Sequence, residues 1–168
     1  MVFLRLRSGL LLLFFFLFIA AFTQVRPVVK GYVFSQLINE GVNRVDENGN
    51  STSAGLKTKI YIYLEVRGSG KPMVSQVRYN SKVFNDPTVY SITGVPAYVG
   101  STAAGGKKIV LSPARGNHLW RIEFTITENQ EKPLVATHPT ILVKGSIDRR
   151  AFTIVLKNEV ALAEAVGM

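Results

Sequence analysis

Thr58 to Arg67 reads T-K-I-Y-I-Y-L-E-V-R, and its two-residue alternation decides the fold class. Ile60, Ile62, Leu64 and Val66 fall on one side of an extended chain, with Lys59, Tyr61, Tyr63, Glu65 and Arg67 on the other. Successive side chains of a strand point to opposite faces, so the pattern predicts a strand with one buried face. His118 to Thr127 repeats it: Trp120, Ile122, Phe124 and Ile126 share one side, and Leu119, Arg121, Glu123 and Thr125 the other. Two such strands imply a sheet protein.

Outward from this pair, the remaining segments are short and rich in β-formers. Val28 to Phe34 reads as a first strand in which Gly31 weakens the strand or marks a bulge. Gly68 to Pro72 is a turn, after which Met73 to Tyr79 is expected to return as the antiparallel hairpin partner of the central strand. Lys82 to Phe84, Thr88 to Ile92 and Lys108 to Leu111 are further short strands, and Pro96 confines a strand at Val95 to Val99 to an edge. Thr140 to Ile147 and Ala151 to Lys157 form a hairpin joined at Asp148-Arg149-Arg150, and Asn158 to Val166 is a last strand or a short helix. Asn39 to Gly55 is dominated by turn formers without periodicity and reads as a flexible loop. The sum is an all-β fold, an antiparallel β-sandwich of seven to nine strands, Ig-like in the broad architectural sense.

The start of the chain is a different material. Arg5 and Arg7 precede an unbroken apolar run from Leu10 to Phe22, which Gln24, Arg26 and Pro27 end. That order is the pattern of a secretory signal peptide, and the run is shorter than the roughly 17 to 25 residues of a comfortable membrane span. Residues 1–23 are therefore read as a signal peptide and 24–168 as a single exported domain, periplasmic or secreted, without a membrane span. An uncleaved N-terminal anchor is the alternative.

The 168 residues include no cysteine, so an exported fold must hold by core burial, and thiol nucleophiles and thiolate metal sites are excluded. Net charge is +9, or +7 once Arg5 and Arg7 leave, which favours an envelope protein or an anionic polymer as partner. The basic residues are spread along the chain, however, and no nucleic-acid-binding signature is readable.

Chemistry-bearing motifs are few. Gly100 to Lys108 resembles a phosphate loop only superficially, because Gly106 stands where the lysine should and no hydroxyl follows, so a flexible hairpin loop between Tyr98 and Ile109 is the better reading. His118 and His138 lack neighbouring ligands and read as turn histidines, which leaves no metal site and no cofactor. Glu65 and Glu123, on the polar faces of the two best strands, could oppose each other as the carboxylate pair of a glycan hydrolase. The better reading is that each pairs with a cross-strand cation such as Lys59 or Arg121, because charges on strand faces are commonly paired in this way. Tyr61 and Tyr63 beside Arg67 form the candidate binding residues, since exposed aromatics next to charges are typical of contact surfaces. If both faces of the sheet are covered, the tyrosines are structural instead. The expected function is that of a non-catalytic exported β-sandwich that binds or scaffolds an envelope component.

Overall fold

Strand β4 (Lys57–Arg67) is buried on both faces over most of its length, and the other elements are arranged around it. In the computed structural model, which describes residues 26–39, 43–45, 51–53, 57–127 and 140–166, Ile60, Ile62, Leu64 and Val66 of β4 are fully buried. Burying four such side chains contributes about 6–12 kcal/mol, as large as the net stability of a typical domain.

Around β4 lies a sheet of five strands in the order β13 (Glu159–Val166), β1 (Val28–Asn39), β4, β10 (Asn117–Thr127) and β7 (Val89–Ile92). The pairing of β4 with β10 expected from their matched alternation is present and antiparallel, with Ile62 opposite Ile122. A second sheet has the order β12 (Arg150–Leu156), β11 (Ile141–Ile147), β5 (Met73–Tyr79) and β6 (Lys82–Asn85) and is antiparallel throughout. One cluster of buried residues draws Val33, Ile60, Ile62, Leu64 and Trp120 from the first sheet and Val77, Ile141, Val143 and Phe152 from the second. The two sheets therefore share a core.

Several expectations change at the level of pairing. β5 is not the hairpin partner of β4: both edges of β4 are taken by β1 and β10, so the Gly68–Pro72 passage carries the chain to the other sheet, where β5 lies between β11 and β6. The sheets are not wholly antiparallel, because β13 runs parallel to β1, with Val33 opposite Glu159. Thirteen strands are present among the described residues, against the seven to nine expected; nine of them make the two principal sheets. The Asn39 to Gly55 stretch carries a short antiparallel hairpin, β2 (Asn43–Val45) with β3 (Ser51–Ser53). No helix occurs among the described residues, and Asn158 to Val166 resolves as the strand β13. The signal peptide expected at 1–23, and His138, lie outside the described residues.

Local signals fare better. The β11–β12 hairpin is present and closes with a two-residue turn in which Asp148 and Arg149 have φ of 48° and 65°, the left-handed pair of a type I′ turn. β8 (Ala97–Ser101) and β9 (Lys108–Leu111) form the expected hairpin. Gly31 is not itself the bulge, which falls between Val28 and Lys30; a Cβ at residue 31 would lie 2.5 Å from Leu156 Cδ2, so glycine here permits close approach of the sheets.

Candidate functional site

The face of the first sheet turned away from the shared core is half covered. The β8–β9 hairpin lies on it, and Ala97 and Leu111 join Phe34, Tyr63, Leu119 and Leu162 in a second buried cluster. Tyr63 is thus 4% exposed, with its ring 5.7 Å from that of Phe34 in an edge-on arrangement. Burial pushes its hydroxyl above the ordinary value of 10.0, partly countered by the hydrogen bond and positive charge of Arg121. Its place among the exposed binding residues is corrected: a hairpin forty residues away in sequence covers it, and alternation within β4 carries no information about that hairpin.

Glu65, on the same side of β4, is 1% exposed. Its Oε1 accepts a hydrogen bond from the backbone N–H of Ala114 at 2.9 Å and another from Asn117 Nδ2 at 2.6 Å. These donors belong to the connection between β9 and β10, so the carboxylate ties that connection to the sheet. Among the described residues no cross-strand cation pairs with it.

Glu123 behaves as its strand position suggests, pairing with Lys59 Nζ at 3.4 Å and Arg121 Nε at 3.6 Å. In the β4–β10 ladder Leu119 is opposite Glu65 and Tyr61 is opposite Glu123. Four residues of strand separate the two glutamates, roughly 13 Å, beyond the 5 to 9.5 Å that paired glycosidase carboxylates need. The carboxylates also turn apart, one toward Asn117 beyond it and the other toward Lys59. The Tyr63–Arg121 rung stands between them, so they do not form a catalytic pair.

Beside this second cluster, against which Tyr61 itself packs, a half-exposed corner remains on the face. Arg121 Cζ lies 5.3 Å from the ring centroid of Tyr90 and 6.0 Å from that of Tyr61, and Lys59 Nζ lies 5.3 Å from the Tyr61 ring. Tyr61 donates its hydroxyl to Gln36 Oε1 at 3.2 Å. Arg121 Nε is shielded and, among the described residues, makes no hydrogen bond, with the Glu123 carboxylate 3.6 Å away. Each cation–π contact at such a half-exposed position contributes on the order of 0.5–1 kcal/mol, which favours keeping the guanidinium beside the two tyrosine rings. The corner therefore presents aromatic faces, two cations and one carboxylate in a fixed arrangement across three strands.

Of the binding residues expected from sequence, only Tyr61 belongs to this corner. Arg67 is exposed at the opposite end of β4, paired with Asn117. Tyr90 and Gln36 were missed: Tyr90 sits in the four-residue strand β7, too short for alternation to assign a face, and Gln36 lies beyond the expected end of β1. His118 Nδ1 lies 2.7 Å from the Gly68 carbonyl oxygen, and no group of metal-ligating side chains is present among the described residues. A separate open cleft of about 600 Å³ lies where β5 outruns β6, lined by Met73, Ser75, Asp86, Thr88 and Gly145 among others, and includes none of the expected site residues.

No known family, curated protein or solved structure matches this chain.

Proposed function

We infer that the chain is an exported, non-catalytic β-sandwich, Ig-like in the broad sense, that binds an anionic component of the cell envelope through the Tyr61–Tyr90–Arg121 corner. Export rests on the charged-then-apolar order of residues 1–23. The observation that carries the binding role is the half-exposed corner itself. On a sheet face half covered by a hairpin, two tyrosine rings flank a guanidinium with Lys59 beside it, and all four side chains stay at least partly exposed. Aromatic residues and arginine are enriched at contact surfaces because they bury much area at low entropic cost and direct hydrogen bonds in a plane. A partner bearing carboxylate or phosphate groups would meet Lys59 and Arg121, with the tyrosine rings as its apolar floor.

The test is a comparison of Tyr90→Ala and Lys59→Gln with the wild type for retention on isolated envelope polymers, with folding checked by Trp120 fluorescence. A binding corner requires both variants to lose at least about tenfold in affinity, as hot-spot truncations do. Undiminished retention of both variants, or retention by neither they nor the wild type, removes the reading. Export is checked by sequencing the amino terminus of material recovered outside the cytoplasm, which should begin near residues 22–24. Full-length protein in the membrane would instead identify an anchor.

A further inference from the structure

The β8–β9 hairpin has two faces, and among the described residues only one is packed against the rest of the fold. Ala97 and Leu111 are buried against the first sheet, with Val99 and Ile109 packed beside them. On the other face Tyr98 is 61% exposed and stands directly opposite Val110, which is 50% exposed. The next rung of that face pairs Ser101 with Lys108, and Tyr98 Oη lies 3.2 Å from Ser101 Oγ. A solvated strand face is ordinarily polar, and single exposed apolar residues are unremarkable. Here two are paired across the hairpin beside a lysine pair.

The turn that carries these lysines is internally closed rather than loose. Thr102 N–H donates to the Lys107 carbonyl at 2.9 Å, Gly106 N–H to the Thr102 carbonyl at 3.1 Å, and Lys107 N–H to Thr102 Oγ1 at 3.1 Å. Lys107 and Lys108 are exposed and form no ion pair with any described residue.

We propose that this outer face docks on an anionic lipid surface, Tyr98 and Val110 entering the headgroup layer while Lys107 and Lys108 meet lipid phosphates. Tyrosine favours that layer because its ring is apolar and its hydroxyl polar. Each lysine near an anionic leaflet contributes about fivefold in affinity. A second copy of the chain is a poor occupant, because an isologous contact would bring the four lysines of two copies together, and a short hairpin face supplies only part of the roughly 800 Å² per partner of a stable interface. The site is separate from the Tyr61–Tyr90–Arg121 corner and stands or falls independently of it.

The chain has no cysteine, so Ser101→Cys accepts a single environment-sensitive fluorophore that reports on the hairpin whatever the apolar leader does. The label is expected to shift to the blue on phosphatidylcholine–phosphatidylglycerol vesicles and not on phosphatidylcholine alone. Lys107→Gln with Lys108→Gln should weaken that response about 25-fold, and Val110→Ser should abolish most of it, while Tyr90→Ala leaves it intact. No shift on the anionic vesicles, or a shift that ignores the two lysines, overturns the proposal. A shift that grows with protein concentration without lipid overturns it in favour of self-association.

Discussion

Replacing Glu65 tests whether this carboxylate is a structural tie. Its Oε1 accepts from Ala114 N–H and Asn117 Nδ2 at 2.9 and 2.6 Å, and the residue is 1% exposed. A hydrogen bond to a charged group contributes about 1.5–3 kcal/mol, so removing both gives an upper bound of roughly 3–6 kcal/mol. Ala114 itself is exposed and Asn117 half-buried, so both donors regain some water when the carboxylate is gone. Glu65→Ala is therefore expected to cost about 2–4 kcal/mol, and Glu65→Gln, which keeps an acceptor but loses the charge, about 1–2 kcal/mol. The assay is urea unfolding followed through Trp120, with the midpoint falling and the slope unchanged. The larger loss corresponds to a melting temperature lower by about 10 °C for a domain of this size. If Glu65→Ala unfolds at the wild-type midpoint, the β9–β10 connection is held by something else and the argument is wrong. An unchanged fold with loss of a hydrolytic activity would return Glu65 to chemistry.

Trp120 is 8% exposed in the shared core, so Trp120→Ala is expected to cost about 3–5 kcal/mol, and native emission should be blue-shifted and poorly quenched by iodide. Emission like that of free tryptophan would invert the strand faces. At Gly145 an added Cβ would strike the Met73 carbonyl oxygen, a backbone atom, whereas at Gly31 it would meet a rotatable methyl of Leu156. Gly145→Ala should therefore cost about 2–3 kcal/mol and Gly31→Ala about 1 kcal/mol, and equal midpoints in urea would contradict this ordering. Because the Tyr63 hydroxyl titrates above 10.0 in the folded chain, stability is retained below that pH and falls as pH rises past it, where the unfolded chain ionises first. Tyr63→Phe should reduce that alkaline loss, and an identical stability profile above pH 10 would show that Tyr63 is not responsible.

How much was legible depends on the range of the forces involved. Alternation along 57–67 and 117–127 reports burial of one face against a core, which any arrangement of sheets must satisfy, so both strands and the inward side of Trp120 could be read directly. The β11–β12 hairpin was legible because its turn and both its strands are contiguous. Pairing of Glu123 with a cross-strand cation was legible because neighbours such as Lys59 follow from one ladder, while Arg121 lies two residues away on the same strand face.

By itself, then, the sequence determined the all-β class, most strand positions and the core side of the two long strands, since each follows from side-chain period and local turn chemistry. Tertiary structure alone decided that β5 leaves β4 for the other sheet, that β13 joins β1 in parallel, that the β8–β9 hairpin covers Tyr63, that Ala114 and Asn117 hold Glu65, and that Tyr61, Tyr90 and Arg121 stay partly exposed. Those outcomes depend on which distant segments fill which edges and faces, a choice made by competition among contacts far apart in the chain, as between Glu65 and Ala114, which no local period encodes.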